Sequence, residues 1–473
     1  MDSLAMESKE LVRPRIPLVA GVSPLPPLDQ YMVRIVLSAM LVFEFKEPSR
    51  KQETVRNLKQ GLAGAIEEMP LIAADIVTAS EERQSIQLQY GDKAGVWFHV
   101  KELPEVDFDH LQTHNYPLSA FPLHDFVPEP RGHSAAAPVV TIQAAFIKGG
   151  LVLTVNGHHS AMDAQGLGTF VTVWSKHVDA ASEGRPVLAK HRLSAECLDT
   201  WSIYGPPMYR RLDDFPPYSV QRDVSPSQAS ILQASMDGDF GQLAKFFRLT
   251  NWSISEEQLQ TIRQDAAPSS KRQSCVTDIA AISAFIWMRV TKARGLSSRR
   301  NIAVSRLFTA VNCRRLMDPP LTAEYPGNCI LLGAATMSSD ELEACPSMRL
   351  HAVAQSISDS VDACTPEEIW SLTGSLQVHS KLLNAIVPPI GEEEDVIVTS
   401  PARLANVIEE AKWGKSLGKV KALKLNFPAW TDGFTVILPS PSGGYHVLLW
   451  ISHPTANQLR KDTTWLAAIT SLD

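Results

Sequence analysis

The stretch from Val139 to Gly166 constrains this chain more than any other. Val139 to Phe146 and Leu151 to Val155 are rich in β-branched and aromatic residues, and Gly149-Gly150 separates them, which predicts a hairpin. The second strand runs out at Asn156-Gly157, where polar, conformationally permissive residues interrupt the apolar pattern. His158 and His159 follow directly, Asp163 comes four residues after His159, and Gly166 opens a helix whose apolar side is Leu167, Phe170, Val171 and Trp174. A strand end that delivers a histidine into a cleft is a place for chemistry.

Imidazole is the one side chain whose unperturbed pKa lies near neutrality, so it takes up and returns a proton at working pH. His159 is the candidate base, and a carboxylate four residues on can steer the ring, directly or through the backbone it fixes. Two other readings compete with this one. Paired histidines also occur as satisfied core or surface residues, and His with Asp at this spacing can ligate a metal ion. No third ligand is evident from spacing, and none of the six cysteines falls into a CxxC pair, so no metal is expected.

At 473 residues the chain exceeds what one hydrophobic core usually holds, and two domains are expected. With 44% hydrophobic and 20% charged residues it has the composition of a globular protein. A net charge of -7 argues against a nucleic-acid partner, which would select a basic face. Scattered cysteines without framework spacing point to reduced thiols and a cytoplasmic location. Met1 to Arg15 has no apolar core of a signal peptide, no run of 18 apolar residues exists, and Ser471-Leu472-Asp473 is not a peroxisomal address.

Before the central stretch come a proline-rich arm through Pro24-Leu-Pro-Pro-Leu-Asp29, a strand over Met32 to Phe45, and a helix from Lys51 that stops before Pro70. Short strands are expected at Ser85 to Tyr90 and Val96 to Lys101. Residues 206–240 are turn-rich and weakly periodic and read as a connector between a first domain, 1–205, and a second, 241–473. The second restarts with a strand at Ala244 to Trp252. Helices follow from Ser255 and Thr277, then a strand over Ile302 to Val311 and a helix from Leu350 to Val361. Strands at Asp395 to Thr399, Lys421 to Leu425, Gly433 to Leu438 and Tyr445 to Ser452 complete it.

At this point the chain resembles the BAHD acyltransferases, within the wider group that includes chloramphenicol acetyltransferase and peptide-synthetase condensation domains. His158-His159-Ser-Ala-Met-Asp163-Ala-Gln-Gly166 matches the family's HHxxxDxxG pattern, and Pro26-Pro-Leu-Asp29 is similar to its N-terminal segment. Val311-Asn312-Cys-Arg314-Arg315 through Pro320, with Tyr325-Pro-Gly327-Asn328, looks like its VDxRxRLxPPLPxxYxGN segment, Asn312 standing for the more common Asp. Two departures stand out. Near Glu410 to Lys419 the DFGWG motif keeps Trp413 and Gly414 but lacks its Asp, a pattern more similar to fungal secondary-metabolite members than to plant ones. Thr399-Ser400-Pro401 stands where many members have Thr-Ser-Trp.

The resemblance implies an α/β (mixed α+β) fold of two chloramphenicol-acetyltransferase-like domains, each a mixed β-sheet flanked by helices, with a channel between them. About 385–410 is expected to cross to the first domain. His159 would act as general base in a ternary complex, moving an acyl group from a CoA thioester to the hydroxyl or amine of a small, secondary-metabolite acceptor. Asp163 completes the catalytic motif by anchoring the His159 loop through Arg314, and Thr399 is the candidate oxyanion donor. Gly166, Trp413 and Gly414 are expected as structural support. The CoA phosphates would need basic residues, for which Lys271, Arg272 and Ser274, or Arg299 and Arg300, are the candidates. No permanent cofactor is expected, only acyl-CoA as co-substrate with acetyl-CoA a candidate donor. The other expectations are a cytoplasmic monomer and neither nucleic acid nor membrane as partner. The alternatives are the same fold working without CoA, as a condensation-like or cyclising enzyme, and a non-catalytic binding protein.

Overall fold

The structure, a computed structural model, describes residues 7–92, 94–129, 136–186, 203, 210, 214–215, 219–220, 226–268, 275–344, 350–378, 385–386, 393–426, 428, 431–440 and 443–472. Two large mixed sheets dominate it. In spatial order the first consists of Glu7–Val12, Val96–Asp107, Val140–Lys148, Gly150–His158, Val36–Glu44 and Ala422–Asn426. Its neighbours are antiparallel except for the parallel pair Val96–Asp107 and Val140–Lys148. The second runs Ile330–Ser338, Val304–Asn312, Val396–Thr399, Phe434–Pro439, Tyr445–Ser452, Phe247–Ile254 and Thr470–Ser471, with Val396–Thr399 parallel to both its neighbours. A smaller four-stranded sheet, Gly21–Pro24, Ser85–Tyr90, Asp75–Ser80 and Ala136–Pro138, flanks the first.

Alternation along the strands explains how these layers stack, because successive side chains of a strand point to opposite faces. In Gly150–His158, every residue of which is buried, Leu151, Leu153 and Val155 join the main core while Val152 joins Met40, Val42, Phe108 and Phe126 on the other face. A strand buried on both sides reads as a nearly unbroken apolar run, as this one does. The helices Lys51–Glu68 and Ala164–Ser182 cover the main-core face and pack on each other.

The second sheet divides its faces differently. Ile437, Val447, Leu449 and Ile451 pack with the helix Asp278–Arg294 in a core of their own. Phe434, Val436, Leu438, Leu448 and Trp450, on the opposite face, belong to the same core as the first sheet and its helices. One face of the second sheet is therefore bonded hydrophobically to the first half. The chain also crosses over: helix Ala402–Glu410 lies against Ala164–Ser182, and Ala422–Asn426 pairs with Val36–Glu44. Of the segment expected to cross, about 385–410, Val396–Thr399 remains inside the second sheet while 402–410 lies against the first half, and the crossing continues to 426.

Local signals account for most boundaries. Ser255 makes a capping box with Gln258, Thr277 caps Asp278–Arg294, and Gly295 closes that helix in the left-handed conformation at φ 60. Where expectation and structure differ, a specific group is responsible. Asp239 accepts from the Gln242 backbone N–H at 3.0 Å and starts a helix over Phe240–Phe246, so the strand expected from Ala244 begins at Phe247. The strand expected from Met32 begins at Val36, since Met32, Val33 and Ile35 turn to line a cavity. Within the expected connector the helix Pro226–Asp237 buries Ile231 and Ala234. Among the described residues no helix is long and apolar enough to cross a membrane.

Candidate active site

The strand Gly150–His158 delivers the two histidines to different fates. His158 is fully buried, paired with Val36, and its Nδ1 accepts from the Ser160 backbone N–H at 3.2 Å. It is a packing residue. His159 donates its backbone N–H to Ile35 at 2.9 Å and turns its side chain into a cavity of about 110 Å³. The Nδ1 of His159 is sealed from solvent and unbonded, so the ring nitrogen open to the cavity is Nε2. Burial lowers the ring's pKa below 6.5, against the pull of its own carbonyl, Asp163 and Asn328 toward the charged form. Burial therefore favours the uncharged form of the ring.

Asp163 does not touch that ring. It caps the helix Ala164–Ser182, taking the Gly166 backbone N–H at 2.8 Å, and takes the Cys329 N–H at 3.2 Å. Arg314 meets it with two parallel bonds, Nη1 to Oδ2 at 2.8 Å and Nη2 to Oδ1 at 2.9 Å, both side chains being 2% exposed. The guanidinium also donates to the carbonyls of Tyr325 and Gly327 and to Asn312 Oδ1. Burial works against the Arg314 charge, but Asp163 more than offsets it and the pKa ends above the ordinary value. Asp163 thereby ties the His159 turn, its own helix and the 312–329 segment together. Gly166 belongs to the same joint: a Cβ there would lie 1.8 Å from the Pro326 carbonyl oxygen.

Thr399 and Pro401 line the cavity beside His159, along with Tyr31, Leu37, Ile330, Leu332, Ile397 and Phe434. Tyr31 spends its hydroxyl on the Ile330 carbonyl at 2.6 Å. Ser400 points away, its hydroxyl donating to Ile437 at 2.9 Å. Among the described lining residues, His159 and Thr399 are the polar side chains left beside Tyr31 in an otherwise apolar chamber.

The other expected residues lie elsewhere. Trp413 is buried edge-on against Phe43 and Trp174, and Gly414 sits at φ 78 where a Cβ would lie 2.5 Å from Ser182 Oγ. Both brace the far end of the helix that Asp163 caps. Arg299 donates to the Ala293 carbonyl at 2.6 Å and Arg300 pairs with Glu393 at 3.1 Å, and neither lines the cavity. Lys271, Arg272 and Ser274 lie outside the described residues. Among the described residues no group of three His, Cys, Asp or Glu could hold a metal ion.

Two residues went unassigned in the sequence although both lie in quoted motifs. Asn328 Nδ2 donates to the His159 backbone carbonyl at 2.7 Å, and the buried Asp29 accepts from the Asn328 backbone N–H at 2.8 Å. Spacing carries no sign of this contact, because Asp29 and Asn328 are 299 residues apart.

A family profile described as "Transferase family" matches residues 3–462. Acyltransferase easC of Emericella nidulans is 27% identical over 331 residues, covering 67% of this chain and 67% of that protein. Acyltransferase BOA11 of Botryotinia fuckeliana is 24% identical over 473 residues, covering 95% and 97%. Among solved structures, TRI101 of F. graminearum in complex with coenzyme A and T-2 mycotoxin superposes with a TM-score of 0.77 at 20% identity, covering 96% of this chain and 100% of that one.

Proposed function

The chain belongs to the BAHD acyltransferase family and is an acyltransferase, and from that premise we propose that it transfers an acyl group from acyl-CoA to a small acceptor with His159 as general base. The observation that carries this reading is the chamber whose lining, among the described residues, is apolar apart from His159, Thr399 and a Tyr31 whose hydroxyl is already bonded. Coenzyme A in the complex of a protein of the same fold supports the donor.

In this reading His159 Nε2 takes the proton of the acceptor hydroxyl or amine as the heteroatom attacks the thioester carbonyl. The Thr399 hydroxyl donates to the oxyanion that forms. Collapse expels the CoA thiolate, which takes the proton from His159 Nε2. A neutral imidazole in an apolar chamber suits this role, and a positioned base of this kind typically supplies about 100- to 10,000-fold in rate. Pro401 lines the chamber where many members place Trp, which leaves room for a bulky, largely apolar acceptor. One chain supplies both His159 and Thr399, in keeping with a monomer. Cys275, Cys313, Cys329 and Cys364 are free thiols, in keeping with the cytosol.

Incubation with acetyl-CoA and no added acceptor tests the reading, water serving as a poor acceptor. The wild type should release thiol slowly, and His159→Ala should lose that release while keeping its affinity for CoA and its Tm. More than a tenth of wild-type kcat in His159→Ala would remove the base role. Absence of thiol release from the wild type would favour the CoA-independent alternative.

A further inference from the structure

We infer that Asp29 and Asn328 form a positioning pair for His159: Asn328 holds the base by its backbone carbonyl, and the Asp29 carboxylate fixes the orientation of the Asn328 amide. The inference rests on the reading of His159 as the base and adds to it the groups that aim the ring.

The geometry leaves little freedom. Asn328 Nδ2 has two protons and faces two acceptors, the His159 carbonyl at 2.7 Å and Asp29 Oδ1 at 2.5 Å. Flipping the amide would set its oxygen against both, so the assignment of nitrogen and oxygen follows from the surroundings and not from convention. With both N–H bonds committed, Asn328 Oδ1 is left buried and unbonded. The Nδ1 of His159 is the other orphan of the site, and Asn328 is among the groups that pull the ring toward its charged form against the larger effect of burial. A proton kept on Nδ1 leaves Nε2 with its lone pair, the tautomer a base requires.

Asp29 sits on the one-turn helix Pro27–Gln30 and is 1% exposed. Burial raises its pKa to about 7, Asn328 pulls it back through both its bonds, the Asp163 charge adds to the rise and the Arg314 charge opposes it. Tyr325 and Cys329 also face it, and both stay uncharged because burial raises their own pKa values. Nothing else titratable among the described residues bears on it in the range of interest. Below about pH 7 the carboxyl takes a proton and its bonds to Asn328 lose the assistance of the charge. Stability moves the other way. An unfolded Asp releases its proton near 3.8 and the folded one only near 7, so the folded state holds the extra proton and stability falls as pH rises through that window. A buried carboxylate kept at a cost to the fold is better explained by what it aims than by what it stabilises.

The test compares the wild type, Asp29→Asn and His159→Ala in acetyl-CoA thiol release across pH 5.5 to 8.5, with Tm measured at each pH. In the wild type kcat should climb through two ionisations, that of His159 below 6.5 and a second near 7. Asp29→Asn should lose the second, run about tenfold slower at pH 8, keep KM for acetyl-CoA within about twofold, and melt no lower than the wild type at pH 8. A purely structural Asp29 would give the reverse, a lower Tm with an unchanged pH profile. Wild-type kcat and profile in Asp29→Asn would overturn the inference, as would a single ionisation in the wild type, which needs no variant at all. Turnover surviving in His159→Ala, or no thiol release by the wild type, would remove the underlying reading instead. An inactive His159→Ala beside an unaltered Asp29→Asn would sink this inference alone.

Discussion

At the residue scale the site depends on which way neighbouring side chains face. His158 and His159 are chemically identical, yet one is buried beneath the strand end and the other opens into the cavity, because consecutive residues leave a strand on opposite sides. Thr399 and Ser400 repeat the pattern at the facing wall. Both carry a hydroxyl, but Ser400 is committed to the Ile437 carbonyl while Thr399 is open. Thr399→Val should therefore lower kcat for acetyl-CoA thiol release by about 100-fold, the loss typical of one oxyanion donor. Ser400→Ala should leave it within about threefold, since a single neutral hydrogen bond is worth about 1 kcal/mol to the fold and nothing to the reacting atoms. Equal losses in the two variants would show that Thr399 is not the donor.

At the element scale the decisive joint is the N-terminus of the helix Ala164–Ser182. A buried carboxylate needs full compensation, and Asp163 receives it from the Gly166 and Cys329 N–H groups and from the two-pronged Arg314. The close approach of Pro326 to Gly166 shows how tightly the 312–329 segment presses on that turn. Asp163→Ala and Arg314→Ala should each cost about 3–5 kcal/mol, because each leaves the other charge buried and alone. The double variant should be less damaged than the sum, as partners in one network couple. Urea unfolding of the four proteins measures this, and strictly additive free energies would mean that the two side chains do not interact.

At the scale of the whole molecule, one core contains residues of both large sheets, Leu41 and Leu153 together with Val436, Leu448 and Trp450. The crossing at 402–426 adds a helix and a strand from the late chain to the early half. Calorimetry should accordingly show one cooperative unfolding transition, and two well-separated ones would contradict a shared core. Much of this was legible in the sequence. The hairpin before His159, the helices from Lys51 and Thr277, and the late strands follow from apolar periodicity and capping residues, which are local properties. So was the ordered set of motifs that placed His159, Asp163 and Arg314 in one family pattern. Other features were not legible. The helix before Phe247 depended on one capping carboxylate, Asp239. The crossing segment needed an edge strand, Val36–Glu44, with room for a partner. The roles of Asp29 and Asn328 required two segments 299 residues apart to meet beneath a histidine. By itself the sequence determined the strands and helices with strong apolar periodicity and clear capping residues, since those follow from neighbours along the chain. Only the tertiary structure decided which polar groups were consumed by contacts and which were left open to the cavity, because that depends on what distant segments bring to the same few ångströms.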